Sequence, residues 1–470
     1  MHAIMRPFSD NVLFLERVQA LTVARVQGTS ENGNKGDAFA WSTEFSTLDG
    51  QWRSLNVKKA LASGDLFILG GSNHATSINN EYINVPNFEL FPPFPGPQKT
   101  FPFPFLIDTL PYNLYPIVHL LPDKNLFILA STKAIILSTS TWKIIQHLPD
   151  LPGPPRNYPL TGGSILLPLL PENHFQPEIL ICGGATEFST LSRGVSSCGR
   201  IAPLSKTPTW VMEEMPFGRM MPDMVHLMDG SILILNGADK GTAGFDRASD
   251  PILHPVQYFP MNETTTSSDD DHRFKILNPS VIARMYHSVA LLLPDASLLI
   301  AGSNPNGKPV EYGEGPFPTE YRVEKFNPPY LFPQRDDDQG GGELHEETIV
   351  QGEIVGWPTK IHYGETFDLS LQWYNKYPEN VRVALVQPGF ITHSTHMSQR
   401  YVGLEIVQRG PKIEAMRDDA QNKTRMTAEA GLLRVKAPAT NGLAPPSHYM
   451  LAVVLDGVPV VEAKWVQLSA

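Results

Sequence analysis

Tyr286 and His287 stand side by side directly before an apolar run, in the stretch Arg284–Asn306 (RMYHSVALLLPDASLLIAGSNPN). A phenol and an imidazole can both bind a metal ion. Adjacent residues of a regular strand point to opposite faces, so both can reach one ion only where the strand begins or is distorted. Taken alone, such a pair is ordinary packing more often than a site.

A second group of metal-capable side chains lies in Ile391–Arg400 (ITHSTHMSQR), which contains His393 and His396. Two histidines three residues apart do not face the same way on a strand, so a single histidine ligand is easier to supply than two. Two imidazoles together with phenolates form a reasonable copper environment. The spacing alone does not bring these distant segments together, so a shared site is a hypothesis.

Most other catalytic templates are missing. The sequence contains no HExxH, CxxC, GxxxxGK[ST] or GxSxG motif. Without a βαβ pattern, dinucleotide binding is also not expected. Paired carboxylates for hydrolysis need no local motif, so a hydrolase is a third and weaker alternative.

The elements that must position these residues are repeated hairpins in the first part of the chain. Each has a polar turn and four or five apolar residues, often ending in Gly-Gly or Gly-Ser. From Gly64 onward they recur at intervals of roughly 50 to 65 residues, near the kelch repeat length, which predicts a β-propeller. His119 and His226, each just before such a turn, are interpreted as structural residues at equivalent positions. The six repeats are Asn11–Glu16, Ser63–Ser72, Pro122–Ala130, Glu178–Gly184, Asp229–Ala238 and Pro294–Ser303. The sharpest predicted hairpin joins Ser288–Leu293 to Ser297–Ala301.

After Asn327-Pro-Pro-Tyr-Leu-Phe the repeat stops, and short alternating strands follow. About 110 residues of such strands predict an immunoglobulin-like β-sandwich. We therefore predict two domains, 1–324 and 325–470. The predicted strands are Thr366–Trp373, Val381–Gln387, Arg400–Val407, Leu432–Lys436, Tyr449–Asp456 and Val458–Gln467.

Composition narrows the possible partners and compartments. With 43 prolines and 36 glycines among 470 residues, many turns and an all-β fold are favoured. The net charge of −11, without a basic patch, argues against nucleic acid as a partner. No apolar run approaches the roughly 20 residues that span a bilayer, so no membrane partner is expected. The first residues also lack the pattern of a secretion signal.

Two further features concern covalent chemistry. Cys182 and Cys198 are the two cysteines of the sequence, and they either form one disulfide that closes a small loop or remain two buried thiols. Asn262 and Asn422 each begin an N-glycosylation triplet, although such triplets arise often by chance.

The ordered motifs together resemble the copper radical oxidases, most closely the glyoxal oxidase branch related to galactose oxidase. The similarity covers nearly the whole chain. The matching segments are Met1–Met5, Asn113–Asp123, Arg156–Pro159, Cys182–Gly184, Cys198–Ile201, Asn236–Phe245, Arg284–Ser288, Ala301–Asn306, Asn327–Leu331, Thr392–Ser394, Gln399–Arg400 and Pro445–Leu451.

The resemblance implies a seven-bladed propeller followed by an immunoglobulin-like (E-set) domain, with one copper ion near the propeller axis. It implies that Tyr286, His287 and His393 are copper ligands, that Tyr286 is the catalytic base, and that His396 is not a ligand. The implied reaction oxidises a small aldehyde or primary alcohol with O2 and yields hydrogen peroxide. A secreted monomer is the further expectation from this resemblance.

The sequence departs from the family pattern where the radical cofactor should lie. The family has a cysteine covalently linked to a tyrosine, but no cysteine precedes Cys182, and Cys182 and Cys198 match other family cysteines. Where the tyrosine is expected, the alignment offers Arg53 or Leu55. Six hairpins against seven blades suggest that about one blade is missing near Leu48–Leu61. A skipped exon in the gene model explains a contiguous loss better than a degenerate relative does.

We therefore expect a glyoxal oxidase-like protein that keeps three copper ligands and lacks the Cys–Tyr radical cofactor. Such a chain should show little or no two-electron oxidation by the family mechanism. The alternative from another class is a non-catalytic propeller module that binds carbohydrate or cell wall.

Overall fold

The computed structural model describes residues 61–73, 78–91, 100–260, 273–332, 351–374, 378–410, 413–416 and 427–469, together with strands within 2–5, 12–15, 43–45 and 52–54. Within these ranges the chain is β-rich, with short 3-10 helices at Pro104–Leu106, Pro171–Asn173 and Pro329–Leu331. No helix among them is both long and apolar enough to cross a lipid bilayer. Asn262 and Asn422 lie outside the described residues.

The first part of the chain consists of short antiparallel sheets. The strands in chain order are β1 (His2–Met5), β2 (Val12–Leu15), β3 (Thr43–Phe45), β4 (Trp52–Ser54), β5 (Leu66–Leu69), β6 (Asn87–Phe91), β7 (Thr100–Pro102), β8 (Ile117–Leu120), β9 (Leu126–Ala130), β10 (Lys133–Leu137), β11 (Ile144–Leu148), β12 (Gly163–Leu166), β13 (Ile179–Cys182), β14 (Ser197–Ile201), β15 (Trp210–Glu214), β16 (Asp223–His226), β17 (Ile232–Leu235), β18 (Ala238–Gly241), β19 (Ala248–Pro251), β20 (Val256–Tyr258), β21 (Phe274–Ile276), β22 (Ser288–Leu292), β23 (Leu298–Gly302) and β24 (Glu324–Phe326).

These strands form successive blades. Strands β8 to β11 make one four-stranded sheet, β12 to β15 the next, and β16, β17, β20 and β21 a third. Strands β5 to β7 and β22 to β24 make three-stranded sheets. Five of the six repeats contribute the second strand of a hairpin, and Ser63–Ser72 contributes β5, the first strand of its sheet. A polar turn followed by a continuous apolar run suits a buried strand. The predicted propeller architecture is thus confirmed.

The second part of the chain begins at Gln351. Its strands are β25 (Gln351–Gly356), β26 (Lys360–His362), β27 (Thr366–Tyr374), β28 (Val381–Gln387), β29 (Phe390–Thr392), β30 (Thr395–Met397), β31 (Arg400–Arg409), β32 (Ile413–Met416), β33 (Thr427–Lys436), β34 (Ser447–Leu455), β35 (Val458–Pro459) and β36 (Lys464–Ser469). The predicted sandwich is confirmed, but the single strand predicted from Val458 to Gln467 is wrong. It is divided between β35 and β36, and β25, β26, β29, β30 and β32 were not predicted.

Strand β31 joins the two layers of the sandwich. Its first half pairs with β28 and its second half with β33, with a register shift between Ile406 and Gln408. A bulge of this kind bends a strand and lets it pass from one layer to the other. The layers then enclose a core that is continuous with the propeller, since Phe127 and Ile181 belong to the same buried apolar cluster as Leu385.

Strands β29 and β30 leave the sandwich as a hairpin and enter the propeller. The first strands of neighbouring blades, β8, β12, β16 and β22, contact one another in that order. Strand β30 contacts β12 and β16, and β29 contacts β22 and pairs with β1. The hairpin therefore lies where the innermost blade strands converge, and it carries His393 to that place.

Buried arginines hold the segments that lead into the first strands of several blades. Arg156 donates to the carbonyl of Gly183, Arg219 to that of Asn236 at 2.6 Å, and Arg284 to that of Gly302 at 2.7 Å. Each arginine lies just before the first strand of a sheet, and each carbonyl lies at the end of the second strand. These charge-assisted bonds hold the segment that precedes each innermost strand in a defined position.

Cys182 and Cys198 face each other across β13 and β14 and form a disulfide. Both side chains are fully buried, and the bond closes a loop with a sequence separation of 16 residues. The bond therefore constrains the unfolded chain over a short loop.

Replacing both cysteines with alanine should lower the free energy of unfolding by about 3 kcal/mol, the value expected for a loop of this length. Urea denaturation of the variant and of the oxidised wild type measures the difference. The control is wild type denatured by urea in the presence of a reducing agent, because this sample loses the disulfide bond but keeps both sulfur atoms. Equal stability of all three samples would contradict the prediction.

Candidate metal centre

The structure brings His287 and His393 together from opposite ends of the fold. Their Nε2 atoms lie 3.3 Å apart, and their rings meet edge to face with centroids 4.9 Å apart. The Tyr286 ring lies 3.9 Å from the ring of His287 and 5.5 Å from that of His393. The three residues predicted as ligands therefore form one cluster.

The start of β22 explains how Tyr286 and His287 face the same side. Strand β22 begins at Ser288, and His287 has a φ of 66°, in the left-handed region. Because of this backbone conformation, the side chains of Tyr286 and His287 do not point to opposite faces as they would on a regular strand. Their two rings instead stack at an interplanar angle of 27°. The same left-handed conformation occurs before β8 at Tyr115 and before β16 at Met221.

His393 lies at the tip of the axial hairpin. Thr392 pairs with Thr395, so His393 and Ser394 form a two-residue turn, with φ values of 50° and 59°. Such a turn normally uses asparagine and glycine, because other residues resist a positive φ. A strained turn at this position is a feature that often accompanies a functional site.

Thr392 also orients the imidazole of His393. Its Oγ1 lies 2.7 Å from Nδ1, which leaves Nε2 as the ring atom directed at His287. An oxygen partner on the far nitrogen is the usual arrangement for a histidine that binds a metal. His396, by contrast, is buried on β30 and does not join this cluster.

Aromatic side chains not singled out from the sequence complete the surroundings. The Tyr158 hydroxyl lies 3.5 Å from that of Tyr286. The Tyr115 ring stacks on His393 at 4.8 Å, and the Phe245 ring meets His287 edge-on at 5.3 Å. A sequence signal for Tyr158 exists, because Arg156-Asn-Tyr repeats the spacing of Arg284-Met-Tyr.

The cluster is open on one side and apolar beneath. Tyr115 and Phe245 are 41% and 38% exposed, so they form the rim, whereas Tyr286 is buried. A small molecule can therefore reach the histidines from solvent. The apolar floor under Tyr286 includes Leu114, Leu160, Met220, Ala243 and Met285.

The available donors suit copper. Across the described ranges, no group of three or more histidine, cysteine, aspartate or glutamate side chains could hold a metal ion. The cluster instead offers two imidazoles and a phenol, and mixed nitrogen and oxygen donors favour Cu(II). Nitrogen atoms at neighbouring positions of a tetragonal Cu(II) ion, each about 2.0 Å from it, lie about 2.8 Å apart. The two Nε2 atoms, 3.3 Å apart, would therefore need to close by only about 0.5 Å to share one ion.

Comparison with known proteins places this fold and cluster in a family. The model of the glyoxal oxidase N-terminus matches residues 23–330, and that of the galactose oxidase-like Early set domain matches residues 351–468. The chain belongs to the glyoxal oxidase family. The sequence resemblance is thereby confirmed.

Curated members of the family match most of the chain. Aldehyde oxidase GLOX of Vitis pseudoreticulata is 37% identical over 425 residues, which cover 89% of this chain and 72% of that protein. Aldehyde oxidase GLOX1 of Arabidopsis thaliana is 34% identical over 436 residues, covering 88% of this chain and 63% of that protein.

A solved structure supports the fold. It is a novel fungal alcohol oxidase with catalytic diversity among the AA5 family, in complex with copper. The two structures superpose with a TM-score of 0.54 at 15% identity, covering 100% of this chain and 97% of the other. At this identity the similarity establishes the common fold alone.

Proposed function

We propose that this chain binds one copper ion through His287, His393 and Tyr286. The observation that carries the proposal is the 3.3 Å separation of the two Nε2 atoms, with the Tyr286 ring beside both imidazoles. Copper there would supply Lewis acidity and one-electron redox chemistry.

The surrounding residues support a reaction on a small aldehyde or primary alcohol. A substrate entering between Tyr115 and Phe245 would reach the imidazoles from the solvent side. Tyr286, buried against an apolar floor, would accept the substrate proton at its oxygen when it is present as the phenolate. Oxygen as the oxidant and hydrogen peroxide as a product belong to this proposal, as do a monomeric state and an extracellular location.

The cysteines bear on how fast that reaction can run. Cys182 and Cys198, the two cysteines of the sequence, are bonded to each other. Neither sulfur is therefore available for a covalent bond to tyrosine. We propose that the chain binds copper and has little or no activity by the family mechanism.

Copper loading of the purified chain tests both parts. We expect about one copper ion per chain by elemental analysis, and peroxide near the level of the no-enzyme blank with glyoxal, methylglyoxal or a primary alcohol. A chain that binds no copper contradicts the metal site. A chain that binds copper and produces peroxide robustly contradicts the predicted inactivity and leaves the site in place.

A further inference from the structure

Tyr158 is a second tyrosine whose hydroxyl group lies beside that of Tyr286, one of the proposed copper ligands. The residue is buried, and its hydroxyl oxygen lies 3.5 Å from that of Tyr286. Its ring lies 6.4 Å from the ring of Tyr286 and 6.4 Å from that of His393. A Cβ atom on Gly244, in the loop that carries Phe245, would lie 3.6 Å from this hydroxyl. The oxygen is thus enclosed by residues of the cluster.

The position of Tyr158 is set by the same construction that sets Tyr286. Arg156 precedes it by two residues, as Arg284 precedes Tyr286, and both arginines hold a glycine carbonyl at the end of a second strand. Asn157 adds a bond from its side-chain amide to the carbonyl of Tyr115 at 3.1 Å. The two tyrosines are therefore delivered to the axis by equivalent, fixed backbone segments.

The distance between the two hydroxyl oxygens is informative. Direct hydrogen bonds between hydroxyl groups span about 2.5–3.0 Å, so 3.5 Å is long for that contact. Donor atoms at neighbouring positions of a tetragonal Cu(II) ion lie about 2.8 Å apart. The two oxygens, 3.5 Å apart, and the Nε2 atoms of His287 and His393, 3.3 Å apart, would each reach that separation by closing less than about 1 Å.

We propose that Tyr158 is the fourth protein donor of the copper centre, an inference that rests on the proposed function. When Tyr158 binds Cu(II), its O–H bond breaks, the proton passes to solvent, a Cu–O bond forms, and no electron is transferred. The centre then has two imidazole nitrogens and two phenolate oxygens, a donor set that suits Cu(II). At the position where the family tyrosine is expected, this sequence has Arg53 or Leu55. Tyr158 would supply the second phenolate from a different blade.

Tyr115 provides a matched comparison. It also belongs to the cluster, but it meets His393 through its ring face, with an interplanar angle of 23°. Removing its hydroxyl should leave that stacking intact. Tyr158→Phe and Tyr115→Phe thus remove the same atom from two tyrosines that contact the same histidine.

The test titrates Cu(II) chloride into the full chain against a competing chelator and records the visible phenolate-to-copper absorption and the EPR spectrum. Tyr158→Phe should weaken Cu(II) binding at least about tenfold and reduce the absorption. Tyr115→Phe should bind within about threefold of wild type. Tyr158→His, which restores a donor, should recover affinity but not the lost absorption. Thermal unfolding without copper checks that each variant is folded.

The outcomes separate this inference from the function on which it rests. If wild type binds Cu(II) and Tyr158→Phe matches it in affinity and both spectra, the role of Tyr158 is wrong and the copper site remains. If Tyr115→Phe reproduces the full effect of Tyr158→Phe, the hydroxyl of Tyr158 has no special role. If wild type itself binds no Cu(II), the proposed function has failed.

Discussion

Replacing His393 with alanine should raise the Kd for Cu(II) at least about 100-fold, because one of the two imidazoles of the cluster is lost. His287 alone keeps a nitrogen at the site, and its former partner atom lay 3.3 Å away. Chelator competition measures the affinity, and the EPR spectrum shows whether any remaining copper keeps its nitrogen ligands.

His147→Ala is the control for this measurement. His147 lies on β11 with its side chain exposed, and it has no part in the cluster. Its removal reports copper held loosely by surface imidazoles. Unchanged affinity in His393→Ala, or an equal loss in His147→Ala, would contradict the assignment of His393.

Acid should destabilise the protein steeply below pH 6.5 because of His226 and His396. Burial lowers the pKa of both imidazoles to about 3. For His226, a hydrogen bond with the Leu166 backbone raises the pKa in part, and the charge of Arg400 lowers it again. His226 also lowers the pKa of His396.

The sign follows from which state takes up the protons. Unfolded imidazoles bind protons as the pH falls below about 6.5, whereas the folded ones remain neutral until about 3. The stabilisation is complete above that window and is lost as the pH falls. Between pH 6.5 and 4.5 each histidine should remove about 2.3 kcal/mol of unfolding free energy, or about 4.6 kcal/mol together.

His226→Leu isolates one of these contributions. Leu120 and Leu292 hold the equivalent hairpin-closing positions of other blades, so leucine is already accepted there. Urea denaturation at pH 6.5 and 4.5 should show about half the wild-type loss in the variant. An identical pH dependence in both proteins would contradict the prediction.

The pairing registers of β8 with β9 and of β16 with β17 show that one interpretation of the sequence was wrong. His119 and His226 both precede hairpin turns, and equivalent positions were expected. His226 closes its hairpin opposite Ile232, whereas His119 lies one residue earlier, opposite Phe127. One residue reverses the face of a strand. The two turns have the same length, because Leu120–Leu126 and His226–Ile232 both close them, so the difference lies in where each histidine stands before its turn. The blades themselves were predictable because their buried strands are continuous apolar runs.

Less of the candidate site than of the fold could be predicted from the sequence. Tyr286, His287 and His393 were named through a family resemblance, because the convergence of distant segments depends on packing. Local pattern could not show that His287 has a left-handed backbone or that His393 lies in a tight turn. The Arg-x-Tyr spacing before Tyr158 repeats that before Tyr286, but only an equivalence between blades gives that spacing meaning.

The axial hairpin has a consequence for the order in which the protein is made. His287 and His393 are 106 residues apart in sequence. In chain order, strands of the sandwich come both before and after the hairpin that carries His393. Contacts this distant form late, because the entropy of closing the intervening chain must be overcome first. During synthesis, His287 would emerge well before its partner. The proposed copper site would therefore be complete only after the two parts of the chain have assembled and the axial hairpin has docked.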